Sequence, residues 1–252
     1  MIYDCFMFFN ELDLLEIRFN ELKDVVDTFV ICESTHTFTG LPKPLFLSQN
    51  RDRFSGFPIQ LLIYDRPPDM TNPWANEAGQ RNYLKTALAG CQDNDVIILT
   101  DADEIPTARF IESFHSDRIC TIQMLMSYYF VNAMGSGENW GSAVAARWHR
   151  VKNMSMHDFR MGLQHRELLS GIEGNHFSYL GGMEAIRTKL ASFSHHEYAK
   201  EFNTEENIRL HLGDLTDPFG RGEHFTVVDL DKMDCCPEYL KKHREKYRHL
   251  WL

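Results

Sequence analysis

Asp101, Asp103 and Glu104 follow directly on the apolar run Val96-Ile97-Ile98-Leu99 and precede Ile105-Pro106. The run is short, β-branched and bounded by polar residues and proline, which predicts a buried strand. Carboxylates where such a strand ends fall at the crevice in which open α/β sheets bind ligands. Hard oxygen ligands there suit Mn2+ or Mg2+, and such an ion commonly bridges substrate phosphates. The matching chemistry is transfer from a sugar diphosphate: the leaving charge is neutralised, an acceptor hydroxyl loses its proton, and water is kept out. Asp103 is the expected direct metal ligand, with Asp101 binding through water or holding donor hydroxyls. The competing reading has both acids capping a helix that starts near Thr107. Glu104 is divided between a functional role and anchoring the loop.

Other residues extend this site. Glu33 and Ser34, after a second apolar run, are placed to meet uracil or ribose, or to close a turn by a side-chain-to-backbone bond. Arg81 offers a guanidinium fork to the diphosphate, or an i, i+4 ion pair to Glu77. Lys43 and Arg53 offer similar charge. His176 and His195 are candidate phosphate or metal contacts, a neutral imidazole completing the shell begun by the aspartates; ordinary core or surface roles compete. The general base must be a carboxylate within reach of the acceptor hydroxyl. Glu184, after Gly181-Gly182, is the first choice, with Glu197 or Asp158 in its place, each set against a plain surface charge. Trp140, Trp148, Tyr128 and Tyr129 suit either a sugar-stacking wall or the core.

These groups need a scaffold, and the pattern predicts one. Residues 2–9 read as a strand, and Asn10 with Asp13 resembles a helix-capping box. Leu12, Leu15, Phe19 and Leu22 form a helical stripe. Asp27 to Cys32 and Ile59 to Tyr64 read as strands, and Asn72-Pro73 opens a helix. This β-α-β-α order predicts an α/β domain: a mostly parallel, Rossmann-like sheet with helices on its faces. Residues 107–114 read as a short helix, 118–133 as one or two strands, Gly135 to Gly137 as a turn, and Ala143 to Trp148 as a strand. The stretch 153–182 has no clear pattern, 183–193 reads as a helix, and 199–236 as loops. Residues 1–236 form the domain, closed by an amphipathic helix over 237–252.

The 252 residues suffice for one large domain, and a formal net charge of −10 argues against a general nucleic-acid binder. No apolar run spans a bilayer and no leader is visible; read as complete, the chain is expected to be soluble and cytoplasmic. The basic run Lys241 to Arg248 suits an anionic membrane surface, or simply a packed closing helix. Six cysteines show no CxxC pair or disulfide framework and read as reduced thiols. Two other functions compete with a transferase. Haloacid-dehalogenase-type phosphohydrolases carry D-x-D after their first strand with Gly-Thr following, whereas Glu-Ile-Pro follows here. A non-catalytic sugar- or nucleotide-binding protein of the same fold is the other.

The stretch Asp4-Cys5-Phe6-Met7-Phe8-Phe9-Asn10-Glu11-Leu12-Asp13-Leu14-Leu15-Glu16-Ile17-Arg18 resembles the N-terminal signature of glycosyltransferase family 17. Further similar blocks are Val30 to Ser34, Gly40 to Leu45, Glu77 with Gln80-Arg81-Asn82, and Asp101 to Pro106. Later come His176 to Tyr179 with Gly181-Gly182, Lys189-Leu190 and Phe193 to His195. The resemblance covers about residues 2–200. It implies a GT-A fold, a UDP-sugar donor (UDP-GlcNAc in the animal members), a carbohydrate acceptor, a divalent metal and inversion at the anomeric carbon. It also favours a late-chain metal ligand such as His195. The membrane anchor and stem of those relatives have no counterpart here, which leaves acceptor and compartment open.

Overall fold

Three consecutive apolar runs decide the centre of the molecule. In the computed structural model, which describes residues 1–135, 140–162, 166–169, 171–194, 202–219 and 221–252, they form β1 (Ile2–Phe8), β2 (Thr28–Ser34) and β4 (Val96–Asp101). With β3 (Ile59–Tyr64) they make a parallel block in the order β3-β2-β1-β4. Alternate side chains enter two separate cores. Phe6, Phe8, Phe29, Ile31 and Ile98 pack on one face, and Cys5, Met7, Val30, Cys32, Ile97 and Leu99 on the other. Strands buried on both faces read as continuous apolar runs rather than alternating ones.

Helix α1 (Leu12–Leu22) leads from β1 to β2, and α2 (Phe46–Gln49) follows β2. Helix α3 (Pro73–Tyr83) precedes β4 and is capped by Asn72, whose side chain accepts from Ala75 N at 3.2 Å, as the Asn-Pro pair predicts. Asn10 makes no such cap on α1. Beyond β4 come β5 (Glu104–Pro106), α4 (Ala108–Ser113), β6 (Cys120–Tyr128), β7 (Ala133–Gly135) and β8 (Trp140–Arg147). β8 pairs antiparallel with β4 and with β6, so the all-parallel order ends at β4 and the sheet continues mixed.

The stretch with no clear pattern holds α5 (Met156–Met161) and β10 (Gly174–Ser178), the short β9 (Glu167–Leu168) lying between them. β10 runs antiparallel to β5 and parallel to β6. Helix α6 (Gly182–Ser192) matches the predicted one, while α7 (Glu205–Asp214) occupies a stretch expected to be loop. β11 (Phe225–Val227) pairs with β7 at the sheet edge. The expected closing helix is reduced to α8 (Glu238–Lys242), followed by turns and a 3-10 turn at Arg248–Leu250. It packs by Leu240, Tyr247 and Leu250 against Leu14 and Ile17 of α1. Its basic residues are drawn to α1: Lys246 binds Glu16, and His249 Nε2 lies 2.9 Å from Asp13. All six cysteines are free. No helix among the described residues is long and apolar enough to cross a membrane.

Candidate active site

The acids after β4 are held in place from beneath by α1. Arg18 is fully buried and forms a two-pronged pair with the buried Asp4, at 2.7 and 2.5 Å. Its Nη1 donates to the carbonyl oxygen of Glu104 at 2.6 Å and to that of Asp101 at 3.2 Å. Arg18 Nη2 also reaches Thr100 Oγ1 at 2.5 Å. A guanidinium with five fixed donors can tie one helix to two strands in this way, where an ammonium could not.

Two cations hold the three acids of the turn, Arg160 serving Glu104 and Asp101, and Lys189 serving Asp103. Glu104, wholly buried, accepts two 2.7 Å bonds from Arg160 of α5 and one from the indole of Trp140, and its Oε2 takes the Asp101 amide at 2.8 Å. It therefore anchors the turn, and Arg160 holds its carboxyl below the ordinary value against the cost of burial. Asp101 Oδ2 accepts from Arg160 Nη2 at 2.8 Å, while Oδ1 is buried with no hydrogen-bond donor and stands 3.6 Å from Arg81 Nη2. Burial raises the Asp101 carboxyl above its usual value, with Arg160 opposing. Asp103 Oδ2 lies 2.6 Å from Lys189 Nζ of α6 and 3.5 Å from His176 Nε2 of β10. Burial would raise the Asp103 carboxyl, but Lys189 and His176 outweigh it and hold the group well below the carboxylate range. The alternative of helix capping by the acids does not apply, because Thr107 caps α4 by accepting from Phe110 N at 3.1 Å.

Asp101 and Asp103 line a cavity of about 520 Å³ at the C-terminal ends of β1 and β4. At the β1 side it is walled by Phe9, Glu11, Lys43, Phe38 and Trp74, and at the β6–β10 side by Trp140, Tyr128, Tyr179, Phe219 and Arg221. Arg81 and His176 also face it, as the sequence predicts. Arg81 makes the expected 2.6 Å pair with Glu77, and its Nη2 also stands 3.6 Å from Asp101 Oδ1. Lys43 Nζ is buried there without a hydrogen-bond acceptor, 4.9 Å above the Phe9 ring, and burial lowers its ammonium below the usual value. His176 packs against Trp140 with ring centres 4.6 Å apart and planes tilted by 45°, and its Nδ1 has no hydrogen-bond partner. The aromatic wall continues behind Tyr128, which stacks on Phe225 at 4.5 Å.

Several predicted site residues stand elsewhere. Glu33 is buried, and its carboxylate accepts from Leu47 N at 2.8 Å, Ser48 N at 3.1 Å and Ser48 Oγ at 3.0 Å. It holds the start of α2 rather than facing the cavity. Ser34 Oγ accepts from His36 N at 3.2 Å, the turn contact given as its alternative. Glu184 is 84% exposed beside Arg187, on the outer side of α6. Asp158 and Ser155 cap α5 reciprocally, at 2.7 and 2.9 Å. Neither of these two carboxylates lines the cavity. Glu197, His195 and the turn at 136–137 lie outside the described residues. Arg53 turns outward to Asp13 and Glu16, Trp148 packs in the core, and Tyr129 donates to Thr216 O at 2.9 Å.

Glu11, Arg160 and Lys189 face the cavity without having been assigned a role from the sequence, and Glu77, expected only as the ion-pair partner of Arg81, faces it too. Glu11 bends back so that Oε2 accepts from the amides of Phe9 at 3.3 Å and Asn10 at 3.0 Å. Burial raises its carboxyl above the usual value, with Lys189 opposing. Glu77 is held by Arg81 and by the Ser194 hydroxyl. A signal existed for Glu11 and Lys189, since both fall in the blocks that carry the family resemblance. Arg160 lies in the stretch without periodicity and offered none. Among the described residues, no three or more His, Cys, Asp or Glu side chains are grouped to hold a metal ion. An ion of the Mg2+ type needs no such cage, taking one or two carboxylates plus substrate phosphates. The donor-free Asp101 Oδ1 and the ionised Asp103 fit that pattern.

Comparison with known proteins bears on what such a cavity serves. A family model described as Glycosyltransferase family 17 matches residues 1–251. A rat β-1,4-mannosyl-glycoprotein 4-β-N-acetylglucosaminyltransferase is 25% identical over 96% of this chain and 52% of its own length. The human protein of the same name is 36% identical over 38% of this chain and 20% of its own. The chain spans about half the length of the curated relatives it matches most fully. Among solved structures, S. aureus TarS 1-349 in complex with UDP has a TM-score of 0.37 at 12% identity, covering 84% of this chain and 72% of that one.

Proposed function

The chain belongs to glycosyltransferase family 17, and on that premise we propose that it moves a sugar, GlcNAc, from a UDP-sugar to a glycan hydroxyl with inversion, using Mn2+ or Mg2+. The observation that carries this reading is a cavity lined by Asp101 and Asp103 together with Lys43, Arg81, Arg160, Lys189 and Arg221, with Glu11 and Glu77 also on its wall. Asp101 and Asp103 edge it at the end of β4, and Arg81, Lys43 and Lys189 line it. A diphosphate is the ligand whose charge such a set would meet, and the crevice beyond the strand ends is where an open α/β sheet binds nucleotides.

Asp101 and Asp103 would hold the divalent ion, which when bound supplies positive charge to the leaving diphosphate. The chain's own residues do the rest. Arg81 presents a planar fork to phosphate oxygens, and Lys43, buried without an acceptor, meets the donor's anionic or carbonyl oxygens. His176, beside Asp103, serves as a donor contact. Trp140, Tyr128 and Tyr179 offer apolar faces against which a pyranose ring can lie. Glu77 is engaged by Arg81 and Ser194, so among the described residues Glu11 is the cavity carboxylate suited to receive the acceptor proton.

Incubation with radiolabelled UDP-GlcNAc, Mn2+ and a panel of glycan acceptors tests this. Transfer by the wild type that disappears in Asp103→Asn supports it. UDP binding without turnover across the panel would instead favour a non-catalytic sugar-nucleotide binder, and release of inorganic phosphate from simple esters a phosphohydrolase.

A further inference from the structure

We infer that Lys189 is a placeholder cation: it neutralises Asp103 and turns to the donor's diphosphate when a divalent ion takes Asp103, so that metal and nucleotide bind cooperatively. This rests on the donor reading above. The contact is direct, with Lys189 Nζ 2.6 Å from Asp103 Oδ2. The other cations of the turn are otherwise engaged. Arg160 keeps Glu104 as a two-bond partner, and Arg81 keeps Glu77, whatever happens at the aspartates. Among the described residues, Asp103 is the sole carboxylate at ion-pair distance from Lys189; the Tyr179 ring lies 5.0 Å away, and the Glu11 carboxylate acts on the ammonium from further off.

A divalent ion arriving alone must therefore displace an ammonium and leave it near a like charge without its ion-pair partner. A nucleoside diphosphate arriving with the ion removes both costs, because its oxygens accept from the ammonium and coordinate the metal. The flexible four-carbon stem of lysine permits that turn, whereas a fixed guanidinium fork would resist it. Both ligands of such a scheme tighten each other by the same factor, since coupling between bound ligands is reciprocal.

The test measures Mn2+ binding to the full chain by electron paramagnetic resonance, with and without UDP, for wild type, Lys189→Met and Lys189→Arg. In the wild type, UDP should tighten Mn2+ tenfold or more, within the usual range of coupling between two sites. Lys189→Met should bind Mn2+ alone several-fold more tightly than wild type, and the effect of UDP should shrink at least fivefold. Lys189→Arg should restore weak binding of Mn2+ alone, and circular dichroism should report all three as folded. Mn2+ affinity and UDP coupling in Lys189→Met equal to wild type overturn the inference. Failure of the wild type to bind UDP at any Mn2+ concentration overturns the donor reading instead.

Discussion

Arg18 Nη1 lies 2.6 Å from the carbonyl oxygen of Glu104, a residue 86 positions later in the chain. That bond couples the first helix to the turn carrying the acids, and the cost of breaking it is set by Asp4, the charged partner of Arg18. Both side chains are completely buried, so Arg18→Met leaves a carboxylate in the core with no counter-charge. Removing one partner of a buried pair typically costs about 3–5 kcal/mol. Urea unfolding of Arg18→Met should show a loss of that size, and the double variant Asp4→Asn, Arg18→Met should recover part of it. Recovery in the double variant with activity still lost would separate the stabilising role from the positioning of the turn.

Glu11 makes a pH prediction. A general base works only when deprotonated, and burial raises this carboxyl above the ordinary glutamate value of about 4.3. The acid limb of kcat/KM should accordingly fall at a pH above that value. Glu11→Gln should lower kcat by about 100-fold or more, the usual scale of general-base contributions, and remove the limb while UDP binding persists. An unchanged profile in that variant would assign the base elsewhere.

Glu33→Gln should act on stability alone. The native carboxylate accepts three bonds at the start of α2, and a carboxamide can replace only part of them. An impaired buried hydrogen-bonding group costs about 1–3 kcal/mol. Thermal unfolding should register this, while KM for the donor stays at the wild-type value. A raised KM would return Glu33 to the binding site.

Gly174 is predicted to be intolerant of any side chain. A Cβ there would come within 2.5 Å of Ile105 O and 2.9 Å of Pro106 Cα, both backbone atoms of the adjoining strand. Overpacking of this kind costs about 1–3 kcal/mol. Because Asp103 lies two residues before Ile105, Gly174→Ala should also weaken Mn2+-dependent UDP binding, as titration calorimetry would report.

The sequence was informative where one physical rule acted alone. The apolar runs at β1, β2 and β4 and the Asn72-Pro73 helix start were legible because burial on both faces and capping leave local signatures. The acids of Asp101 and Asp103 were legible from their place after a strand. Glu33 was misjudged because position after a strand does not reveal which way a side chain turns; its partners, Leu47 and Ser48, lie 14 and 15 residues on. Glu184 was misjudged for the same reason, since a helix start can face either way. β10 was missed because it is five residues long and carries polar Asn175, His176 and Ser178 into a buried place. The closing helix broke after Lys242 because its later basic and aromatic residues are drawn individually to α1.

The three-way pairing of β10 has a mechanical consequence. On one edge it is bonded to β5, with His176 opposite Glu104, and on the other to β6, with Ser178 beside Tyr128. One short rail thus carries both the floor under the charged turn and the tyrosine panel across from it. The two ends of the cleft cannot shift independently: a bulky acceptor that wedges the panel outward must drag the charged turn with it. On the proposed function, a poorly shaped acceptor is expected to be rejected by spoiling the grip on the donor.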